Sequence, residues 1–132
     1  MNLSEYQKES CETFKPNNGI TDDQIRMVNW ALGITGESGE LANMIKHVVF
    51  HNEDVPIQEA AKEIGDILWY LAALCTTLNI DLGVCAELNL AKLKHRHGRS
   101  FSFDRSKDRH HREKMFELTE EYEQLMRRLF NE

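Results

Sequence analysis

The sequence reads as an all-α protein, an antiparallel bundle of four core helices with an additional C-terminal helix. Three observations carry that reading. Ile57, Ala60, Ala61, Ile64, Ile67, Leu68, Leu71, Leu74, Cys75 and Leu78 repeat at the i, i+3, i+4, i+7 spacing of one helix face. No segment shows the apolar-polar alternation of a half-buried strand. Seven glycines and two prolines in 132 residues are too few for the turns of an all-β fold.

Each element has its own signals. Ser4 with Gln7 forms a capping-box pattern that opens a first helix to about Phe14. Pro16 and the cluster Asn17, Asn18, Gly19 make residues 15–20 a loop. Thr21 with Gln24 opens a second helix to about Phe50. Gly33, Gly36 and Gly39 lie inside it, each costing about 1 kcal/mol against Ala. They point to close approach of a backbone or ligand, or to a bend. Asp54 and Pro56 open a third helix over about 56–79. Asp81 caps a fourth, 82–97, which Gly98 ends. Residues 99–107 read as loop. A fifth helix over about 108–130 repeats Met115, Leu118, Tyr122, Leu125 and Leu129 in heptad positions.

Length and charge limit the class. A mass of 15.4 kDa is one domain's worth. A net charge of −6 opposes a general nucleic-acid binder. Cys11, Cys75 and Cys85 have no C-x-x-C spacing and read as free thiols of a reducing compartment. The opening MNLSEYQKES lacks the features of a signal peptide. The longest apolar run, 67–75, is nine residues, against the roughly 20 of a membrane span. A cytoplasmic protein with no membrane partner is expected.

Two acidic pairs carry the chemistry. Glu37 and Glu40 sit in T-G-E-S-G-E-L, and Glu63 and Asp66 in K-E-I-G-D-I. Each pair is i, i+3, so both carboxylates leave one side of a helix, where like charges repel unless a cation is present. On a helical wheel the acids fall away from the apolar stripes, Glu37 and Glu40 lying opposite Val28, Leu32, Ala42 and Val49. The second pair runs on into I-L-W-Y-L-A-A-L, apolar nearly all round, as in a buried bundle helix. Carboxylates there need a partner, and a divalent metal supplies one. All-oxygen ligands suit Mg²⁺ or Mn²⁺, and Mg²⁺ is commonly completed by substrate phosphates. A di-iron bundle would need Glu-x-x-His pairs, which neither pair has.

The stretches W-A-L-G-I-T-G-E-S-G-E-L-A-N-M-I-K, E-I-G-D-I-L-W-Y-L-A-A-L and N-L-A-K-L-K-H-R-H-G resemble the MazG-like family of all-α nucleoside triphosphate pyrophosphohydrolases. Its superfamily includes the dCTP pyrophosphatases and phosphoribosyl-ATP pyrophosphohydrolase. The likeness covers residues 3–103. It implies a catalytic bundle over 1–103; outside the shared pattern, residues 104–132 read as a basic linker and C-terminal amphipathic helix. It also implies that Glu37, Glu40, Glu63 and Asp66 hold Mg²⁺. Lys92 and Arg96 would contact the triphosphate, and Asn89 would lie one turn earlier on the same face. The reaction would release pyrophosphate from a nucleoside triphosphate. The chain would assemble as a dimer or tetramer, with sites lined by more than one subunit. Glu40 is the candidate base that takes the proton of the attacking water.

Trp30 lies seven residues before Glu37 and is a candidate to stack on a base, core packing being the alternative. Lys46 is a candidate phosphate contact or a solvated lysine. His47 and His51 have an i, i+4 zinc spacing but no third ligand at a motif distance. Residues 92–114 carry nine Lys/Arg against three acids, a net of +6. The remainder has seven bases against nineteen acids, a net of −12. The basic segment suits a subunit contact or a solvated loop, a gate that attracts an anionic nucleotide, or, less well with only Phe101 and Phe103 as aromatics, a nucleic-acid contact. The competing function is a non-enzymatic helical oligomer that binds nucleotide or protein through this segment and the terminal heptads.

Overall fold

Every regular element in the computed structural model, which describes residues 1–14, 22–98 and 100–130, is helical. The expected loop over 15–20, the Thr21 cap and Arg99 lie outside the described residues. Contacts divide the chain into two units. One holds Met1 and Glu5–Leu78, the other Asn2–Ser4 and the chain from Asn79 onward.

The first unit is built on helices α2 (Asp23–His51) and α3 (Ile57–Thr77). The Asp22 side chain caps α2 by accepting from the Gln24 amide at 2.8 Å. Asn52 ends it at φ +53°, a left-handed position that Asn tolerates better than most residues. Ahead of them α1 (Leu3–Ser10) passes into a 3₁₀ turn, Cys11–Thr13. Ser4 does not cap α1. It lies inside the helix, and its hydroxyl donates to Asp81 Oδ1 at 2.8 Å in the second unit.

Helices α2 and α3 run antiparallel, since Trp30 meets Thr77 and Tyr70 while Glu37 meets Asp66 and Glu63. Their contact is aromatic at one end. Trp30 packs edge-to-face on Trp69 at 5.7 Å, and Phe14 on Trp69 at 5.0 Å. Trp30 Nε1 donates to Thr77 Oγ1 at 3.0 Å, and Trp69 Nε1 to Thr13 Oγ1 at 2.7 Å. Ala72 and Ala73 are fully buried.

Gly33 explains one costly glycine, because a Cβ there would overlap the Tyr70 ring. Gly33→Ala should therefore destabilise by about 1–2 kcal/mol, overpacking outweighing helix propensity. In a Tyr70→Ala background the same change should be neutral or stabilising by up to about 1 kcal/mol. A double-mutant cycle in urea measures the difference, and equal effects in both backgrounds would remove the packing explanation.

The apolar stripe of α2 is not the face that meets α3. Val28 is 58% exposed, Leu32 66% and Val49 67%, whereas Glu37 is partly buried against α3. The expectation that Glu37 turns away from the packed face is thus corrected. Small and aromatic residues beside the acids form the intrachain contact, and the aliphatic stripe is left outward.

The second unit centres on α4 (Leu82–His97), which Asp81 caps by accepting from the Val84 amide at 2.8 Å. Gly98 ends it at φ +72°. Then follow α5 (Phe103–Lys107), α6 (Arg109–Glu117) and α7 (Glu120–Leu129). The stretch 99–107 is therefore partly helical, and the expected fifth helix is broken. Thr119 breaks it by capping α7, its hydroxyl accepting from the Tyr122 amide at 3.2 Å, with Glu120 and Glu121 favouring that helix start. Both α6 and α7 pack on α4. Val84, Ala91, Phe116, Leu125 and Leu129 form the core, while Leu118 of the expected heptad is 80% exposed. Arg128 clasps Glu87 through two bonds of 2.6 and 3.0 Å.

Candidate functional site

Three of the four paired carboxylates converge. Glu37 from α2 and Glu63 and Asp66 from α3 each offer an oxygen, and these atoms lie within 4.8 Å of one another. Among the described residues this is the one grouping of three metal-capable side chains. Antiparallel packing causes it, because the two i, i+3 pairs occupy facing turns. Glu40 sits one turn along α2, exposed and outside the grouping, and acts on Glu37 through its charge.

The site is electrostatically unfavourable for bare carboxylates. Lost hydration first, then the charges of Glu40, Asp66 and Glu63, push the Glu37 carboxyl above its usual range. A hydrogen bond with Glu63 adds to the shift. A cation among these oxygens removes the repulsion. The donor set fits a hard divalent ion, being all carboxylate with no His or Cys. Gly36, Gly39 and Gly65, next to the acids, have open space where a side chain would stand. Tyr6 of α1 also belongs to this neighbourhood. Burial, with the Asp66 charge second, raises its phenol above the ordinary value. Nothing in its local sequence marks it, since the link is tertiary.

The other candidates fall elsewhere. Trp30 is 9% exposed within the aromatic cluster. Lys46 is exposed on α2. His47 and His51 stack with ring centres 4.8 Å apart and join no group of three. Asn89, Lys92 and Arg96 belong to α4 in the second unit. Asn89 and Lys92 line a cavity of about 420 Å³ together with Glu113, Phe116, Glu117 and Tyr122. Arg96 is largely buried and ion-paired with Glu113 of α6.

A helical protein whose antiparallel helix pair converges carboxylates from two acidic motifs belongs to the class of all-α proteins with an acidic, metal-capable centre. Comparison with known proteins narrows the class. The model of the MazG nucleotide pyrophosphohydrolase domain family matches residues 28–101, more than half the chain. The protein belongs to that family, and the matched segment contains both acidic motifs and the basic face of α4. It is also similar to the Gene 37 protein of Mycobacterium phage L5, 32% identical over 104 residues, which cover 75% of this chain and 91% of the phage protein. No solved structure matches. Among the described residues no single helix is long and apolar enough to cross a membrane.

Proposed function

We propose that the protein is a Mg²⁺-dependent nucleoside triphosphate pyrophosphohydrolase, converting a nucleoside or deoxynucleoside triphosphate to the monophosphate and pyrophosphate. The convergence of Glu37, Glu63 and Asp66 within the family-matched helices carries this reading. These residues would hold Mg²⁺, with Mn²⁺ as a substitute. When bound, the ion neutralises phosphate oxygens and acidifies a water. Glu40, outside the grouping, is the proposed acceptor of the proton that the attacking water loses. That water attacks phosphorus in line as the phosphoanhydride P–O bond breaks toward pyrophosphate. Lys92 and Arg96 are the proposed contacts for the charge developing on the phosphates. Trp30 is given a packing role, and Lys46 is left to solvent.

A homo-oligomer is part of the proposal, as is a cytoplasmic setting. The outward stripe of Val28, Leu32 and Val49 supports the former, because aliphatic surface of that kind is stabilised by burial against another chain. The three cysteines, none of them in a disulfide, support the latter.

The test is pyrophosphate release from a panel of nucleoside and deoxynucleoside triphosphates, with Mg²⁺ and with a chelator. Release from at least one nucleotide, abolished by the chelator, is expected. No release from any nucleotide would leave the non-enzymatic binding protein as the better account.

A further inference from the structure

Four residues beyond the family-matched segment, Glu113, Phe116, Glu117 and Tyr122, meet four residues inside it, Cys85, Leu88, Asn89 and Lys92, around the α4 cavity. We infer that α6 and α7 complete a nucleobase pocket against α4, selective for bases with an exocyclic amino group. The inference deepens the proposed function and rests on it for the identity of the substrate.

Size is the first argument. About 420 Å³ lies in the range of small-molecule sites. The lining is the second. Tyr122, Leu88 and Cys85, half-buried against the core residue Phe116, give the cavity an apolar wall on which a flat ring can lie. Charge is the third. Glu113 and Glu117 accept hydrogen bonds and donate none when ionised. One oxygen of Glu113 is already held by Arg96, so Glu117 is the better placed to accept from a ligand. A simple anion is opposed by these carboxylates, and a simple amine by Lys92. A nucleotide carries both features, amino hydrogens on the base for Glu117 and phosphate for Lys92. Cytosine, adenine and guanine bring the exocyclic amino group; thymine and uracil do not.

The test begins without turnover. Binding of dCMP, dAMP and dTMP to the full chain is measured calorimetrically in chelator. The amino-bearing nucleotides should bind roughly tenfold more tightly than dTMP, as expected for one charged hydrogen bond. Glu117→Ala, a change at an exposed residue that removes the acceptor, should erase that preference with the circular dichroism spectrum unchanged. Equal affinity for all three nucleotides, no binding, or a preference that survives Glu117→Ala would each overturn the inference. The triphosphate panel separates its failure from that of the proposed function. Release with a base preference untouched by Glu117→Ala refutes the pocket alone. No release, with the binding preference intact and erased by Glu117→Ala, refutes the enzyme reading and retains the pocket.

Discussion

Asp66→Asn is expected to lower Mg²⁺-dependent pyrophosphate release roughly a thousandfold while leaving helical content unchanged, a loss of several kcal/mol of metal-based catalysis. The side chain is exposed, so the change removes a charge and leaves the aromatic packing around Trp30 alone. Its oxygen lies within 4.8 Å of those of Glu37 and Glu63, and its charge is one of those that raise the Glu37 carboxyl. Neutralising it should therefore raise the metal-free stability slightly. Added Mg²⁺ should do the reverse of discriminating weakly. At a hundred times its dissociation constant it should stabilise the wild type by about 2.7 kcal/mol and leave the variant nearly unmoved. Thermal unfolding with Mg²⁺ and with chelator reads both effects. A variant that kept full release, or that Mg²⁺ stabilised as much as the wild type, would remove Asp66 from the metal centre.

How far the sequence foretold this site depends on the range of the interaction. Asp81 and Gly98 bound α4 through hydrogen bonds and backbone conformation within a few residues, and they are read correctly from the chain. The acidic pairs are legible for the same reason, since i, i+3 spacing fixes which side of a helix they share. Which side then faces a neighbour is not a local property. The most aliphatic face of α2 is the expected core, yet Val28 and Leu32 are exposed and Glu37 lies toward α3. Hydropathy reports that a face avoids water, without saying whether this chain or another covers it. A Thr followed by two Glu, as at 119–121, is a helix-start signal that the heptad reading from Met115 to Leu129 passes over. The pairing of Arg96 with Glu113 joins residues seventeen apart and has no period to reveal it.

Trp30→Ala should cost about 3–5 kcal/mol of stability, the range for emptying a large aromatic site. The ring is 9% exposed and makes contacts of 5.7–6.2 Å with Phe14, Trp69 and Tyr70. Its indole N–H is also spent on Thr77. Loss of the ring leaves a cavity among aromatics whose own positions depend on it, because Tyr70 fills the space that Gly33 leaves. Trp30→Phe separates packing from substrate contact. It keeps an aromatic ring and gives up the bond to Thr77, which still donates to the Ala73 carbonyl at 3.0 Å. A loss of about 1 kcal/mol is expected from it, with KM for the best nucleotide within about twofold of wild type, the change in binding energy being below 1 kcal/mol. Urea unfolding and steady-state kinetics on the two variants supply the comparison. A KM raised more than tenfold in Trp30→Phe at near wild-type stability would return the ring to the nucleotide. An unchanged KM with the graded loss of stability would fix Trp30 as the residue that holds α2 and α3 in the register at which their carboxylates meet.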